Sequence, residues 1–142
     1  MTLRPIGVVR NGIGQRPEGG WKKVVSELIL DPALGEALDS LEEFSHIILL
    51  YWMHQGQPEN LTLKIHPMGK RELPLVGRLA TRSPHRPNPV GASVVRLLGR
   101  RGNVLRVEGL DALDGTPVID IKPYLPDDSV KDARVPSWVP RE

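Results

Sequence analysis

At 142 residues, with hydrophobic residues at 39% and charged residues at 25%, the chain has the length and balance of one globular domain, neither disordered nor membranous. It contains no cysteine, which excludes a disulfide, a thiolate nucleophile and a cysteine metal site. The formal net charge of +2 is unevenly spread: nine Lys/Arg stand against one acid between Lys70 and Arg106, six against eight over 1–69, and four against eight over 107–142.

A basic segment in an otherwise mildly acidic chain points to an anionic partner, and a phosphate backbone is the commonest. Arg100 and Arg101 in that segment are its candidate RNA contacts. The longest apolar run, Ile47 to Met53, is far below the ~20 residues that span a bilayer. Met1 to Gly20 lacks the apolar core of a signal peptide, so a cytoplasmic location with no membrane partner is expected.

In chain order, Arg4 to Arg10 reads as a first strand. Asn11 to Gly20 has glycines at 12 and 14, but Pro17 stands where a dinucleotide fingerprint needs its third glycine; the segment reads as a mobile or ligand-covering loop. Val24 to Leu30 is a second strand. Asp31 can cap a short helix with Pro32 at its first position, with Leu34, Leu38 and Leu41 on one face and Phe44 closing it onto the core. His46 to Met53 is apolar nearly throughout and reads as a central strand buried on both faces, a buried helix being the alternative that periodicity alone leaves open, with His54 and Gln55 where it emerges. Leu61, Leu63 and Ile65 alternate with polar residues as a half-buried strand, and Leu73 to Ala80 is another, interrupted by Pro74 and Gly77.

The stretch 77–93 holds Pro84, Pro87 and Pro89 with Arg78, Arg82, Arg86 and Asn88. Each proline fixes its own φ and biases the preceding residue toward extended backbone, so the loop is stiff and suited to hold polar groups in fixed directions. Ala92 to Leu98 fits either strand or helix. Asn103 to Glu108 and Pro117 to Lys122 are strands, the second with Ile119 and Ile121 on one face, and Asp114-Gly115 between them is a turn signal. The tail from Tyr124 is a proline-rich arm with Trp138 as its apolar anchor. The whole, 1–142, reads as a mostly β, single β-barrel domain with one short helix and a proline-rich C-terminal arm.

Raw material for a Ser-His-Asp hydrolase exists in Ser83 or Ser93, His85 and Asp111, but no GxSxG elbow frames either serine. The four histidines form no HxxxH or HExxH pair. Arg82 can hold a carboxylate in a bidentate grip, and Asp111 and Asp114 can accept from a ribose diol. Arginine, asparagine and turn aspartates together fit a nucleoside ligand that also carries a carboxylate, and S-adenosylmethionine has both.

IGVVR (6–10), LEEFSHIILLYWMHQ (41–55), ATRSPHRPNPVGAS (80–93) and LDALDGTPVIDIKPYLP (110–126) resemble, in the same order, the motifs of the TsaA/TrmO family, also called YaeB-like or VirR-like. The resemblance implies a β-barrel unrelated to the Rossmann methyltransferases that binds S-adenosylmethionine and forms a homodimer. It implies methylation of N6 of threonylcarbamoyladenosine at position 37 of tRNA; a non-catalytic S-adenosylmethionine- or RNA-binding module on the same barrel is the alternative. Carried over by residue, the implied cofactor-binding positions are His54, Gln55, Arg82, Ala92, Asp111, Asp114, Gly115 and Thr116, with Asn88 and Gly91 added for their place in the motif. Arg86 is the candidate for the substrate carboxylate, the catalytic base is left open among His54, Asp111 and Asp114, and no metal is implied. The N-terminal loop Arg16 to Trp21 is carried over as a ligand segment. Two departures stand out: Ala92 replaces the Leu or Met common in the family, and the chain is expected to be a short form without the extra C-terminal domain of longer members.

Overall fold

Period-two alternation of apolar side chains closes the sheet. In the computed structural model, which describes residues 1–53 and 60–140, the strands run in chain order as β1 (Gly7–Arg10), β2 (Val25–Leu30), β3 (His46–Trp52), β4 (Lys64–Ile65), β5 (Val76–Gly77), β6 (Val90–Arg101), β7 (Val104–Glu108) and β8 (Pro117–Pro123). Six of them close as an antiparallel barrel in the order β1-β2-β7-β6-β3-β8, while β4 and β5 pair as a separate two-stranded ribbon. The chain divides into two compact units, Met1–His54 with Val90–Tyr124, which is the barrel, and Gln55–Pro89 with Leu125–Glu142, which carries the ribbon. Ala92 to Leu98, open between helix and strand in the sequence, lies wholly within β6.

The barrel interior is a set of cross-strand pairs. Leu28 faces Leu105, Ile47 faces Val95 and Leu49 faces Ile121, with the first five of these six fully or almost fully buried. Each such side chain contributes about 1.5–3 kcal/mol by leaving water, and a six-stranded barrel leaves no room inside for anything but side chains. β3 alternates between buried and half-buried residues, so the expected burial on both faces does not occur: a barrel has one interior, and Ile48, Leu50 and Trp52 point away from it.

Two β-bulges shift the side-chain phase. Between β3 and β8 the partners run Leu50↔Asp120 and then Tyr51↔Val118, so Ile119 is an extra residue. Val118 and Ile121 therefore both turn toward the core, replacing the expected Ile119/Ile121 face. On β6 the partners run Leu97↔Val107 and then Gly99↔Arg106, leaving Leu98 extra and half exposed. Beyond that bulge Arg100 lies opposite the buried Leu105, on the inward side of the strand, whereas Arg101 faces out.

The expected short helix is two 3₁₀ turns instead, Pro32–Leu38 and Leu41–Glu43. Asp31 caps the first as expected, its carboxylate accepting from the Ala33 N–H at 3.0 Å. Seven residues that include Pro32 and Gly35 are too short to nucleate an α-helix, and the 3₁₀ period of three puts Pro32, Gly35 and Leu38 in line. Ser40, at φ 73°, separates the turns.

In the second unit the expected strands over 61–66 and 73–80 shrink to two residues each. Continuing the register Lys64↔Gly77 and Ile65↔Val76 would set Pro67 opposite Pro74, and neither has an N–H to give the ladder. Leu63, expected half-buried, is 87% exposed. In the tail, Trp138 is half-buried and Pro126–Asp128 forms a 3₁₀ turn whose Asp128 carboxylate accepts from the Leu125 N–H.

Candidate functional site

The turn 110–116 is held against the end of β1 by one asparagine. The Asn11 side chain donates to Ser26 Oγ and to the Ala112 carbonyl, both at 3.0 Å, and accepts from the Ile13 N–H through its own oxygen. In return, Asp114 Oδ1 accepts from the Asn11 and Gly12 N–H groups at 2.8 and 2.9 Å. The segment read as a mobile or ligand-covering loop is thus pinned at its first three residues. Gly115 takes φ 84°, the left-handed conformation that the Asp-Gly signal anticipates, and donates to the Val9 carbonyl. Thr116 is buried with its hydroxyl given to the Leu113 carbonyl at 2.6 Å, so that hydroxyl is part of the turn.

The two aspartates of this turn differ in electrostatics. The Gly12 N–H first and the Asn11 N–H second hold the Asp114 carboxyl below its ordinary pKa, and they make it a poor proton acceptor. Asp111 still reaches solvent, yet partial desolvation pushes its pKa up, and the guanidinium of Arg16 pulls the other way without cancelling that rise. A desolvated carboxylate of this kind is relieved by a cation or by hydroxyl donors, which a ribose diol or a charged ligand supplies. Because the folded pKa of Asp111 lies above its unfolded value, its ionised form costs stability above the folded pKa, and that cost vanishes as pH falls through the pKa. Asp111→Asn is therefore expected to melt above the wild type at pH 7, with the gap closing toward about pH 4; thermal scans across that range check it.

Tyr51, which the sequence reading passed over inside an apolar run, links the motifs of the barrel. Its hydroxyl donates to the Asp111 carbonyl at 3.1 Å and pairs with Ser93 Oγ at 2.9 Å, and its ring lies directly on Gly91. Ala92, next to Gly91 on β6 and opposite Leu50, points to the outer face of the barrel. Alternation therefore sends these two adjacent candidates to opposite sides of one strand.

In the second unit, hydroxyls and guanidiniums stitch the proline-rich loop together. Arg78 donates to the Thr62 carbonyl and hydroxyl and to the His85 carbonyl, and Arg86 donates to the Thr81 and Ser83 carbonyls. Thr81 and Ser83 hydroxyls accept from the N–H groups two residues on. Arg82 and Asn88 stand exposed on this framework. Neither serine of the hydrolase reading meets an imidazole among the described residues: Ser83 Oγ takes the His85 backbone N–H, and Ser93 pairs with Tyr51. No group of three His, Asp or Glu residues suited to a metal occurs among the described residues. His54 and Gln55 lie outside the described residues.

Arg100, expected to contact RNA, is engaged by the barrel's own groups. Its guanidinium donates to Asp39 at 3.0 Å and to the carbonyls of Gly35 and Gly102 at 2.9 Å, with Glu42 at 3.5 Å, and the side chain is 17% exposed. The bulge after Leu97 turned it inward, so it straps the 3₁₀ turn to the barrel. Arg101 remains exposed.

With this geometry in place, comparison with known proteins gives a consistent result. The family of the tRNA-methyltransferase O N-terminal domain matches residues 10–129. The chain belongs to that family. A "Probable S-adenosyl-L-methionine-binding protein" of Methanothermobacter thermautotrophicus is 48% identical over 131 residues, 89% of this chain and 92% of that protein. A mouse protein named tRNA (adenine(37)-N6)-methyltransferase is 41% identical over 91 residues, 64% of this chain and 21% of its own length. The crystal structure of TrmO from Pseudomonas aeruginosa superposes with a TM-score of 0.76 at 39% identity, over 94% of this chain. This chain spans 60% of that crystallised TrmO.

Proposed function

We propose that the chain is an S-adenosylmethionine-dependent tRNA methyltransferase that methylates N6 of threonylcarbamoyladenosine at position 37, with residues 1–142 working as one S-adenosylmethionine-binding domain. One observation carries the reading: the family match over 10–129 runs through both segments proposed to hold the cofactor, 82–92 and 111–116. The donor set fits the cofactor, a guanidinium at Arg82 for its carboxylate and a desolvated carboxylate at Asp111 for its hydroxyls or positive charge. When bound, S-adenosylmethionine supplies an electrophilic methyl group on a sulfonium.

The work left to the protein is to place the accepting nitrogen and to remove its proton. An adenine exocyclic nitrogen has its lone pair delocalised into the ring and is a poor nucleophile. In the threonylcarbamoyl base that nitrogen is part of a ureido group, whose carbonyl makes the N–H more acidic, so a modest base suffices. Asp111, whose pKa partial desolvation raises, is the better base of the two turn aspartates, and Asp114, whose pKa is lowered by the Gly12 and Asn11 N–H groups, orders the turn. Arg86 offers the basic loop's grip on the added carboxylate.

Methyl transfer to matched tRNA transcripts with and without the threonylcarbamoyl group tests the reading. Transfer to the modified transcript only is expected. Equal rates on both would overturn the substrate assignment, and binding of S-adenosylmethionine with transfer to neither would make the chain a non-catalytic binding module. A homodimer and a cytoplasmic location belong to the same reading. Light scattering that reports a monomer at micromolar concentration would remove the dimer.

A further inference from the structure

Folding redistributes the charge that the sequence concentrates between Lys70 and Arg106. Among the described residues of the barrel unit, ten Lys/Arg stand against eleven Asp/Glu; among those of the second unit, eight stand against four. The barrel is close to neutral, and the positive surplus lies in the other unit.

Strand register explains the barrel's balance. Arg10 bonds Glu27 at 2.8 Å, and Glu27 also lies opposite Arg106 on the other side. Arg96 lies opposite Glu108, and Arg100 bonds Asp39. Directly opposed charges on a sheet attract, and each such pair cancels the field that an approaching polyanion would feel. Residues 60–89 instead carry six cations, Lys64, Lys70, Arg71, Arg78, Arg82 and Arg86, with Glu72 as their single acid. The bonds of Arg78 go to carbonyls and a hydroxyl, which hold its direction and leave its charge intact. Lys70 and Arg71 stand exposed just beyond the Pro67–Gly69 turn.

We propose that the RNA-facing surface of this protein is the segment 60–89, with Lys70 and Arg71 contacting tRNA phosphates, and that Arg96 and Arg106, each opposed by an acid across the barrel sheet, are not part of it. This rests on the reading of tRNA as substrate. It assigns RNA binding to an insertion between two barrel strands.

The test is the affinity of the full chain for fluorescently labelled tRNA, measured from about 50 to 200 mM salt. Wild type is compared with Lys70→Gln/Arg71→Gln and with Arg96→Gln/Arg106→Gln, and S-adenosylmethionine calorimetry on each protein confirms an intact fold. Each phosphate contact adds about 0.7 to 0.9 to the log-log slope, so the first variant is expected to lose about 1.4 to 1.8 of slope and the barrel variant almost none. The proposal is overturned if Lys70→Gln/Arg71→Gln keeps the wild-type slope, if the barrel variant loses as much, or if wild type shows no salt-dependent tRNA binding. A wild type that binds tRNA with the expected slopes but transfers no methyl group refutes the proposed activity and leaves the RNA surface standing.

Discussion

Replacing Arg82 by alanine is expected to remove S-adenosylmethionine binding at working concentrations while leaving the barrel folded. Arg82 is exposed, and the loop around it is held by other residues, chiefly Arg78, Thr81 and Ser83, so truncating it costs the framework little. Once a ligand carboxylate is held by this guanidinium and shielded from water, deleting the guanidinium strands the carboxylate. The cost is about 2–5 kcal/mol, roughly 30- to 5,000-fold in Kd. Titration calorimetry checks it, and wild-type affinity in the mutant would show that the carboxylate is held elsewhere. Arg82→Lys separates charge from geometry, because lysine keeps the charge but lacks the planar fork that grips a carboxylate with two bonds.

Gly91→Ala should destabilise the barrel itself. Gly91 lies opposite Tyr51 in register, and a Cβ built there overlaps the tyrosine ring carbons. The ring is only 4% exposed, and its hydroxyl is tied to Ser93 and to the Asp111 carbonyl, so it cannot swing aside without breaking both bonds. Overpacking costs about 1–3 kcal/mol, and stranding buried hydrogen-bonding groups adds about 1–3 kcal/mol more. At a few degrees per kcal/mol, Tm is expected to fall by roughly 10 °C. A double-mutant cycle tests the cause: in a Tyr51→Ala background the same Gly91→Ala change should cost almost nothing, and a full cost there would point away from the ring.

Most of the barrel was legible because alternation is a local signal. Val25–Leu30 and Val104–Glu108 could be read as strands from neighbouring residues alone. The bulges could not, since an extra residue such as Ile119 or Leu98 leaves no mark in composition; it shows only when the opposing strand is counted off against it. That is why Arg100 was read as facing solvent. The ribbon was over-read for a related reason: the pattern at Leu61 to Ile65 is regular, but Pro67 and Pro74 stop the ladder only because they would face each other. At the candidate site, the Asp-Gly turn and the proline-rich loop were visible. The Asn11 clamp was not, because its partners at Ala112 and Asp114 lie about a hundred residues away. A lone tyrosine in the run HIILLYWM was the one available hint of Tyr51's hydroxyl bonds, since a phenol placed in a core needs a partner.

The chain leaves the barrel at Trp52 and re-enters at Val90, and these two residues are directly paired neighbours in adjacent strands. The intervening segment begins and ends one strand spacing apart, so from the barrel's side it is a loop of adjustable length. Closing a flexible loop costs entropy that grows only with the logarithm of its length, about 0.6 kcal/mol for each doubling. Residues can be added to or removed from this excursion at almost no cost to the barrel that anchors it. Selection can thus add or remove residues around Lys70 and Arg71, upstream of the proposed cofactor contact at Arg82, while the six strands, and the turn packed against their ends, stay as they are.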